Sequence, residues 1–453
     1  MSALPIRLVC SGCGASPAPE DPWPFGCPAA GSDDVDHVLV RRLEAGSGAW
    51  PRGHAGSQPF LRYRALLRSY HLALWGGLGD AGFVEIVRGL DARVAAIEGR
   101  GFAATPFFRS PALSEALGFA PPGGVFVKDE TVGVAGSHKA RHLMGIALHL
   151  EVADRVGLTR GRAAPRLAIA SCGNAATAAS AIARAAGKEL EVFVPEGADP
   201  ALLARLRVPG VRIEACSRGP GVRGDPAYAR LRQAVREGAL PFTCQGDLNG
   251  LAVEGGETLG WEMADAFLAK GAALDRVVVQ VGGGALASAI VQSFREAAEL
   301  GALPRPPRVD TVQTEAASPL ARAAERLAAR VTGGDSPRDA LAYAVRHRSQ
   351  FMWPWEEIGA SVAEGILDDE AYDWVAVLEG MQATGGCVVV VDEVRLREAN
   401  RLGTAAAGIG ADDTGTAGLA GLMALVREGA VDPSEKVAVL FTGARRESRL
   451  GPP

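Results

Sequence analysis

From Val125 onward the chain repeats one pattern, in which a short apolar run leads through a turn of small residues into an alanine-rich stretch of helical period. The runs are Val125 to Val127, Leu167 to Ala170, Leu190 to Val194, Arg276 to Val281, Val309 to Gln313, Val388 to Val391 and Val437 to Phe441. Apolar runs of this kind suit strands buried on both faces, with the intervening helices supplying the cover. The alternation predicts an α/β fold of open, mostly parallel sheets with helices on both faces. In such sheets ligands lie beyond the carboxyl ends of the strands, so the turns that follow the runs are where chemistry is expected.

A length of 453 residues leaves room for about two or three domains and a core that needs no cross-links. The formal net charge of −5 provides no basic field for nucleic acid or an anionic membrane. The N-terminus lacks the apolar core of a signal peptide, and no run of about 18 uncharged apolar residues occurs, so a soluble, cytoplasmic protein is expected. Seven cysteines are too few for a disulfide framework in this length and read as cytosolic thiols.

Residues 1–45 stand apart, rich in Gly and Pro, with three of those cysteines and little helical period. Cys10 and Cys13 on a tight turn, followed by Cys27, look like the start of a zinc ribbon, in which a second close pair completes a tetrahedron. That second pair is broken, because position 30 is Ala. His37 or Asp33 are the available substitutes; otherwise the segment is a degenerate ribbon that packs without metal.

Four later segments each offer something that a phosphorylated, aldehyde-bearing cofactor needs. Lys128 to Arg141 run from a strand end through a glycine-containing loop to a helix start, where Lys139 would lie near the positive end of the helix dipole and among cations. Ser171-Cys172-Gly173-Asn174-Ala175 sit between a strand and a helix, and their amides could hold a carboxylate while Asn174 reaches a phenolic oxygen. Gly282-Gly283-Gly284-Ala285-Leu286 let several amides converge on one phosphate at a helix N-terminus. Thr442-Gly443 end the last strand with a neutral hydroxyl that could pair with a ring nitrogen without protonating it. The glycine run also loosely fits a dinucleotide fingerprint, but the next acidic strand end, Glu315, comes about 30 residues on, where ~20 is expected.

Together and in this order, the segments resemble the fold type II family of pyridoxal 5′-phosphate enzymes, which includes threonine synthase, serine and threonine dehydratases, cysteine synthase and the tryptophan synthase β-subunit. The resemblance runs from about Arg64 to the C-terminus. It implies Lys139 as the catalytic lysine, forming the Schiff base with the cofactor and shuttling the Cα proton. It implies Asn174 at the phenolic oxygen, Gly282 to Leu286 around the phosphate and Thr442 at the pyridine nitrogen. Ser171, Gly173 and Ala175 would surround the substrate carboxylate, with Cys172 lining the same place. His138 stands where the tryptophan synthase β-subunit has a phosphate-contacting histidine. Glu130 stands where some relatives use a carboxylate on the leaving group, the alternative being a structural ion pair.

Within the family the likeness is to threonine synthase, through the N-terminal Cys ribbon, Arg62-Tyr63-Arg64, Lys139-x-Arg141 and Val253 to Thr258. Val134-Ala135, His138 and Ala140 depart from the threonine synthase pattern around the lysine. The implied architecture has a small α/β domain over 126–234 carrying the Asn174 loop. A large domain made from 46–125 and 235–453 would carry the phosphate loop. The implied enzyme is a cytoplasmic homodimer acting on a small amino-acid substrate by elimination or replacement at Cβ or Cγ. A serine/threonine dehydratase, a β-replacement synthase, a silent ligand sensor and an NAD(P)-dependent oxidoreductase using the Gly282 loop are the alternatives.

Overall fold

The computed structural model describes residues 4–44, 48–51, 58–217 and 224–446. Each apolar run is a strand. Arg276–Gln280, Lys436–Phe441 and Gly124–Asp129 lie side by side in a six-stranded sheet, with Arg308–Thr314 and Val388–Val391 beyond the first and Phe107–Arg109 beyond the last. All neighbours are parallel except Phe107–Arg109, which runs antiparallel to Gly124–Asp129.

The strands read as unbroken apolar runs because alternate residues serve two packed layers. Val125, Val127, Val278, Val437 and Val439 pack with Leu419 and Leu422 of the helix Asp413–Arg427. Phe126, Val277, Val279, Ala438 and Leu440 belong to the larger cluster with Ile290, Phe294 and Trp374. A second, four-stranded parallel sheet has the order Val211–Cys216, Leu190–Pro195, Leu167–Ala170, Leu240–Pro241.

Two strand pairings run across the expected domain edges. The strand Gly124–Asp129 is bonded into the six-stranded sheet, although the boundary at 126 assigns most of it to the small domain. Leu240–Pro241 pair with Leu167 and Ala168 in the four-stranded sheet, beyond the boundary at 234. Local composition could not reveal this, since strand partners are set by contacts remote in sequence.

The helix Lys139–Arg155 is buried along almost its whole length, Arg141, His142 and His149 included, and packs on Asn174–Ala185 and Glu254–Leu268. Glycine is required where it crosses the latter: a Cβ on Gly255 would stand 1.9 Å from the Arg141 carbonyl oxygen. At the N-terminus Ile6–Cys10 and Leu39–Leu43 form an antiparallel ribbon, and Arg41 reaches from it into a buried pairing with Glu257 and Glu296. Among the described residues no helix is long and apolar enough to cross a membrane.

Candidate active site

The sheet order places Glu130, Gly282 and Thr442 at the carboxyl ends of neighbouring or near-neighbouring strands, while Ser171 to Ala175 follow a strand of the smaller sheet. The loop before Lys139 is stitched to the end of the last strand: Ser137 bridges Gly443, and the His138 amide donates to the Thr442 carbonyl at 3.4 Å. Ala135 (φ 54°) and Gly136 (φ 65°) are both left-handed. For the alanine this costs on the order of 1 kcal/mol, and Arg446 donates to its carbonyl at 2.8 Å, holding the turn.

Lys139 is half-buried as the first residue of its helix. Its charge acts on His138, His142, Cys244, Asp368 and Asp373, so all five lie within its electrostatic reach. Burial, followed by the Lys139 charge, pushes His138 well below the usual imidazole range and His142 down to about 3. Both rings are therefore neutral at physiological pH and add no positive charge beside the lysine.

Asn174 opens the helix Asn174–Ala185 and donates its side-chain amide to Asp412. Asp412 also caps the helix Asp413–Arg427 by accepting from the Gly415 amide at 2.5 Å, and burial lifts its carboxyl to about 6. Gly443 lies against both: a Cβ there would fall 2.6 Å from Asp412 Oδ2 and 2.9 Å from Asn174 Nδ2. The Asn174 loop and the last strand thus close on each other at Gly443, where an added Cβ would press on the Asp412 and Asn174 side chains.

Gly282 to Gly284 lead into the helix Ala285–Glu299, with Ala285 and Leu286 buried in its first turn. Asp368 already presents a carboxylate to this loop, accepting from the Gly283 amide. A Cβ on Gly282 would lie 2.2 Å from Asp368 Oδ2, and one on Gly283 2.8 Å from Tyr372 Cδ2. Burial raises the Asp368 carboxyl to about 6, against the pull of Lys139. The glycine loop thus faces an acidic side chain of its own chain.

Thr442 is buried, and its Oγ1 accepts from Gln280 Nε2 at 2.7 Å. Gln280 also donates to the carbonyls of Gly415 and Leu440 at 3.2 and 3.3 Å, so the Thr442 hydroxyl keeps its own proton to give. Five buried polar atoms flanking Lys139 and Thr442 have no protein partner: Ser137 Oγ, His138 Nε2, His142 Nε2, Gln280 Oε1 and Asp373 Oδ2. Buried polar atoms are nearly always paired, so such a cluster fits a cleft shaped for a polar ligand. A lysine amine, an anion cradle, an amide and a neutral hydroxyl suit a pyridoxal phosphate group.

Glu130 does not face an open substrate site. Its Oε2 accepts from Arg141 Nε at 2.8 Å and its Oε1 from Arg141 Nη2 at 3.1 Å. Arg141 also holds Glu262 at 2.7 Å and Thr258 at 2.9 Å, and Lys128 meets Glu262 at 2.5 Å. This buried network pins the Lys139 helix to the strand Gly124–Asp129, with Glu130 as one of its ion-paired members. Cys172 keeps a solvent-exposed edge, while burial of its sulfur and the carboxylates of Asp225 and Asp368 raise its thiol pKa and keep it neutral. Ser171, Gly173 and Ala175 are half-buried around the helix start, with Ser171 Oγ accepting from the Gly173 amide at 3.3 Å.

Gln280, His142, Asp368 and Asp412 escape a reading of the sequence. Gln280 leaves a trace, as the polar last residue of an apolar strand, and Asp412 another, as an N-cap before a helix. Asp368 lies in an irregular segment and reaches the glycine loop only through the fold.

Residues 100–443 match the family described as pyridoxal-phosphate dependent enzyme. The threonine synthase of Methanocaldococcus jannaschii is 25% identical over 343 residues, 75% of this chain and 74% of that one. Among solved structures, the threonine deaminase of T.th. aligns with a TM-score of 0.55 at 20% identity, over 81% of this chain and 99% of that one. Maize serine racemase aligns with a TM-score of 0.55 at 18% identity, over 80% and 94%. At these identities the two solved structures bear on the fold alone.

Proposed function

The chain belongs to the pyridoxal-phosphate dependent enzymes, and we propose that it catalyses elimination or replacement at Cβ or Cγ of an amino acid, most like threonine synthase. The observation that carries this is the convergence of the four segments: Ser137 beside Lys139 bridges Gly443, a Cβ on Gly443 would lie 2.9 Å from Asn174 Nδ2, and the Lys139 charge acts on Asp368 beside the glycine loop. The matching curated threonine synthase puts that reaction first. A nicotinamide cofactor at the Gly282 loop is set aside by the family.

When bound, pyridoxal phosphate supplies the electron sink that makes the Cα–H of an amino acid acidic. Lys139 Nζ would hold the cofactor and would move the Cα proton. The amides of Gly282 to Leu286 would hold the phosphate, with neutral His138 nearby, and the Asn174 amide would serve the phenolic oxygen. The Thr442 hydroxyl, fixed by Gln280, would serve the ring nitrogen as a neutral donor, which would favour elimination and replacement over transamination. Ser171, Gly173 and Ala175 offer the helix start to the substrate carboxylate, with Cys172 at its edge. The same reading takes the enzyme as a cytoplasmic homodimer, which sedimentation of the holoenzyme tests.

The reaction is assigned by incubating the holoenzyme with serine, threonine, O-phosphohomoserine and O-acetylserine. Ammonia, keto acid, phosphate and acetate are assayed separately. Phosphate with threonine is the expected outcome. Ammonia with keto acid makes the enzyme a dehydratase, acetate release a replacement synthase, and no product from any of the four removes the threonine synthase-like reading.

A further inference from the structure

The N-terminal ribbon gathers the metal ligands that its spacing left incomplete. Sγ of Cys10, Cys13 and Cys27 and a ring nitrogen of His37 all lie within 4.8 Å of one another, the one such group of potential ligands found among the described residues. Cys10 Sγ is 3.6 Å from His37 Nδ1, and Cys13 Sγ is 3.5 Å from Cys27 Sγ. Zn–S bonds of about 2.3 Å and Zn–N bonds of about 2.0–2.1 Å set tetrahedral donors roughly 3.5–3.8 Å apart, so the group needs only slight contraction.

The backbone is built for the approach. A Cβ on Gly12 would lie 2.5 Å from the Asp36 carbonyl oxygen, so the Cys10–Cys13 turn rests directly on the segment that delivers His37. The Ala29 amide donates to Cys27 Sγ at 3.4 Å, as amides do to thiolates that carry charge. His37 Nε2 is 3.0 Å from Asp33 Oδ1. A carboxylate there keeps the proton on Nε2 and leaves the Nδ1 lone pair facing the sulfurs. The two substitutes for the missing cysteine thus divide the work, His37 as ligand and Asp33 as its support.

We propose that Cys10, Cys13, Cys27 and His37 bind zinc as a closed, structural site independent of the catalytic reading. With four protein ligands it has no open position for a substrate. What it stabilises is visible from the contacts on either side. Beyond His37, the strand Leu39–Leu43 carries Arg41 to Glu257 and Glu296. Before it, Asp36 pairs with Arg348 at 3.0 Å, and Arg348 pairs with Glu370 at 3.0 Å, two residues from Asp368 at the glycine loop. A metal that fixes the ribbon therefore fixes the support under the segment covering that loop.

The test is metal analysis of the purified full chain after dialysis, together with cobalt substitution. The expected results are about one zinc per chain and, with cobalt, intense thiolate charge-transfer and tetrahedral ligand-field bands. Cys13→Ser, at the exposed ligand, and His37→Gln should each lose most of the zinc, while Cys387→Ser, remote from the ribbon, keeps it. Zinc retained in both ligand variants, or absent from the unmodified chain together with weak octahedral cobalt bands, overturns the proposal. The cobalt spectrum needs only the unmodified chain, so the proposal stands or falls even where a variant fails to fold.

Discussion

The Asp368 carboxylate accepts a hydrogen bond from the Gly283 amide, in the cradle where the fold presents its amides to an anion. Its carboxyl sits at about 6, raised first by burial, then by Asp369 and Asp225, and lowered by Lys139. Above that pH the ionised acid competes with and repels a phosphate; below it the acid is neutral.

Asp368→Asn is therefore expected to bind pyridoxal phosphate about tenfold more tightly than the parent at pH 8 and about equally at pH 5. Titrating both chains across that range checks it. A ratio that does not change with pH removes the competition.

Asp373 lies behind the same loop, accepting from the Gly246 amide, and burial pushes its carboxyl from 3.8 up to about 8. Between these values the folded chain binds more protons than the unfolded one, so this group lowers stability as pH rises from about 4 to about 8. Asp373→Asn keeps the acceptor and removes the titration. It should gain on the order of 2 kcal/mol at pH 8 and almost nothing at pH 4, measured by denaturant unfolding without added cofactor.

Glu130 is ion-paired with Arg141, and a purely structural role predicts a stability effect without a catalytic one. Glu130→Gln should cost about 1–3 kcal/mol in stability, because Arg141 retains Glu262. Turnover should stay within about threefold of the parent once the holoenzyme is folded. A collapse of kcat at unchanged stability would return Glu130 to the substrate.

Gly443→Ala places a methyl between Asp412 and Asn174. The expected result is a loss of about 1–3 kcal/mol and at least a tenfold weaker hold on the cofactor, read from unfolding and binding titrations. Unchanged cofactor affinity would separate Asn174 from the cofactor.

Much of the fold was legible because strands such as Gly124–Asp129 and Arg276–Gln280 are buried on both faces and so are written as continuous apolar runs. The site was legible as four local segments, each directly after a strand, because their glycines and small residues answer to local backbone needs. Asp368, Asp412 and the Glu130–Arg141 pairing were not. Their partners lie far off in sequence, and a carboxylate reads the same there whether it meets solvent, a glycine amide or a guanidinium. The ribbon lay between these cases: Cys10, Cys13 and Cys27 were evident, but only the fold chooses His37 over Asp33 as the fourth donor.

The central claim is that Lys139 carries the cofactor. It is tested most directly by adding pyridoxal phosphate to the purified chain, recording the visible absorption, reducing with borohydride and mapping the modified peptide. The expected result is a visible Schiff-base band and a single reduced adduct on Lys139, both lost in Lys139→Ala. An adduct on Lys128, Lys188, Lys270 or Lys436 instead, or no band and no adduct at saturating cofactor, would contradict it.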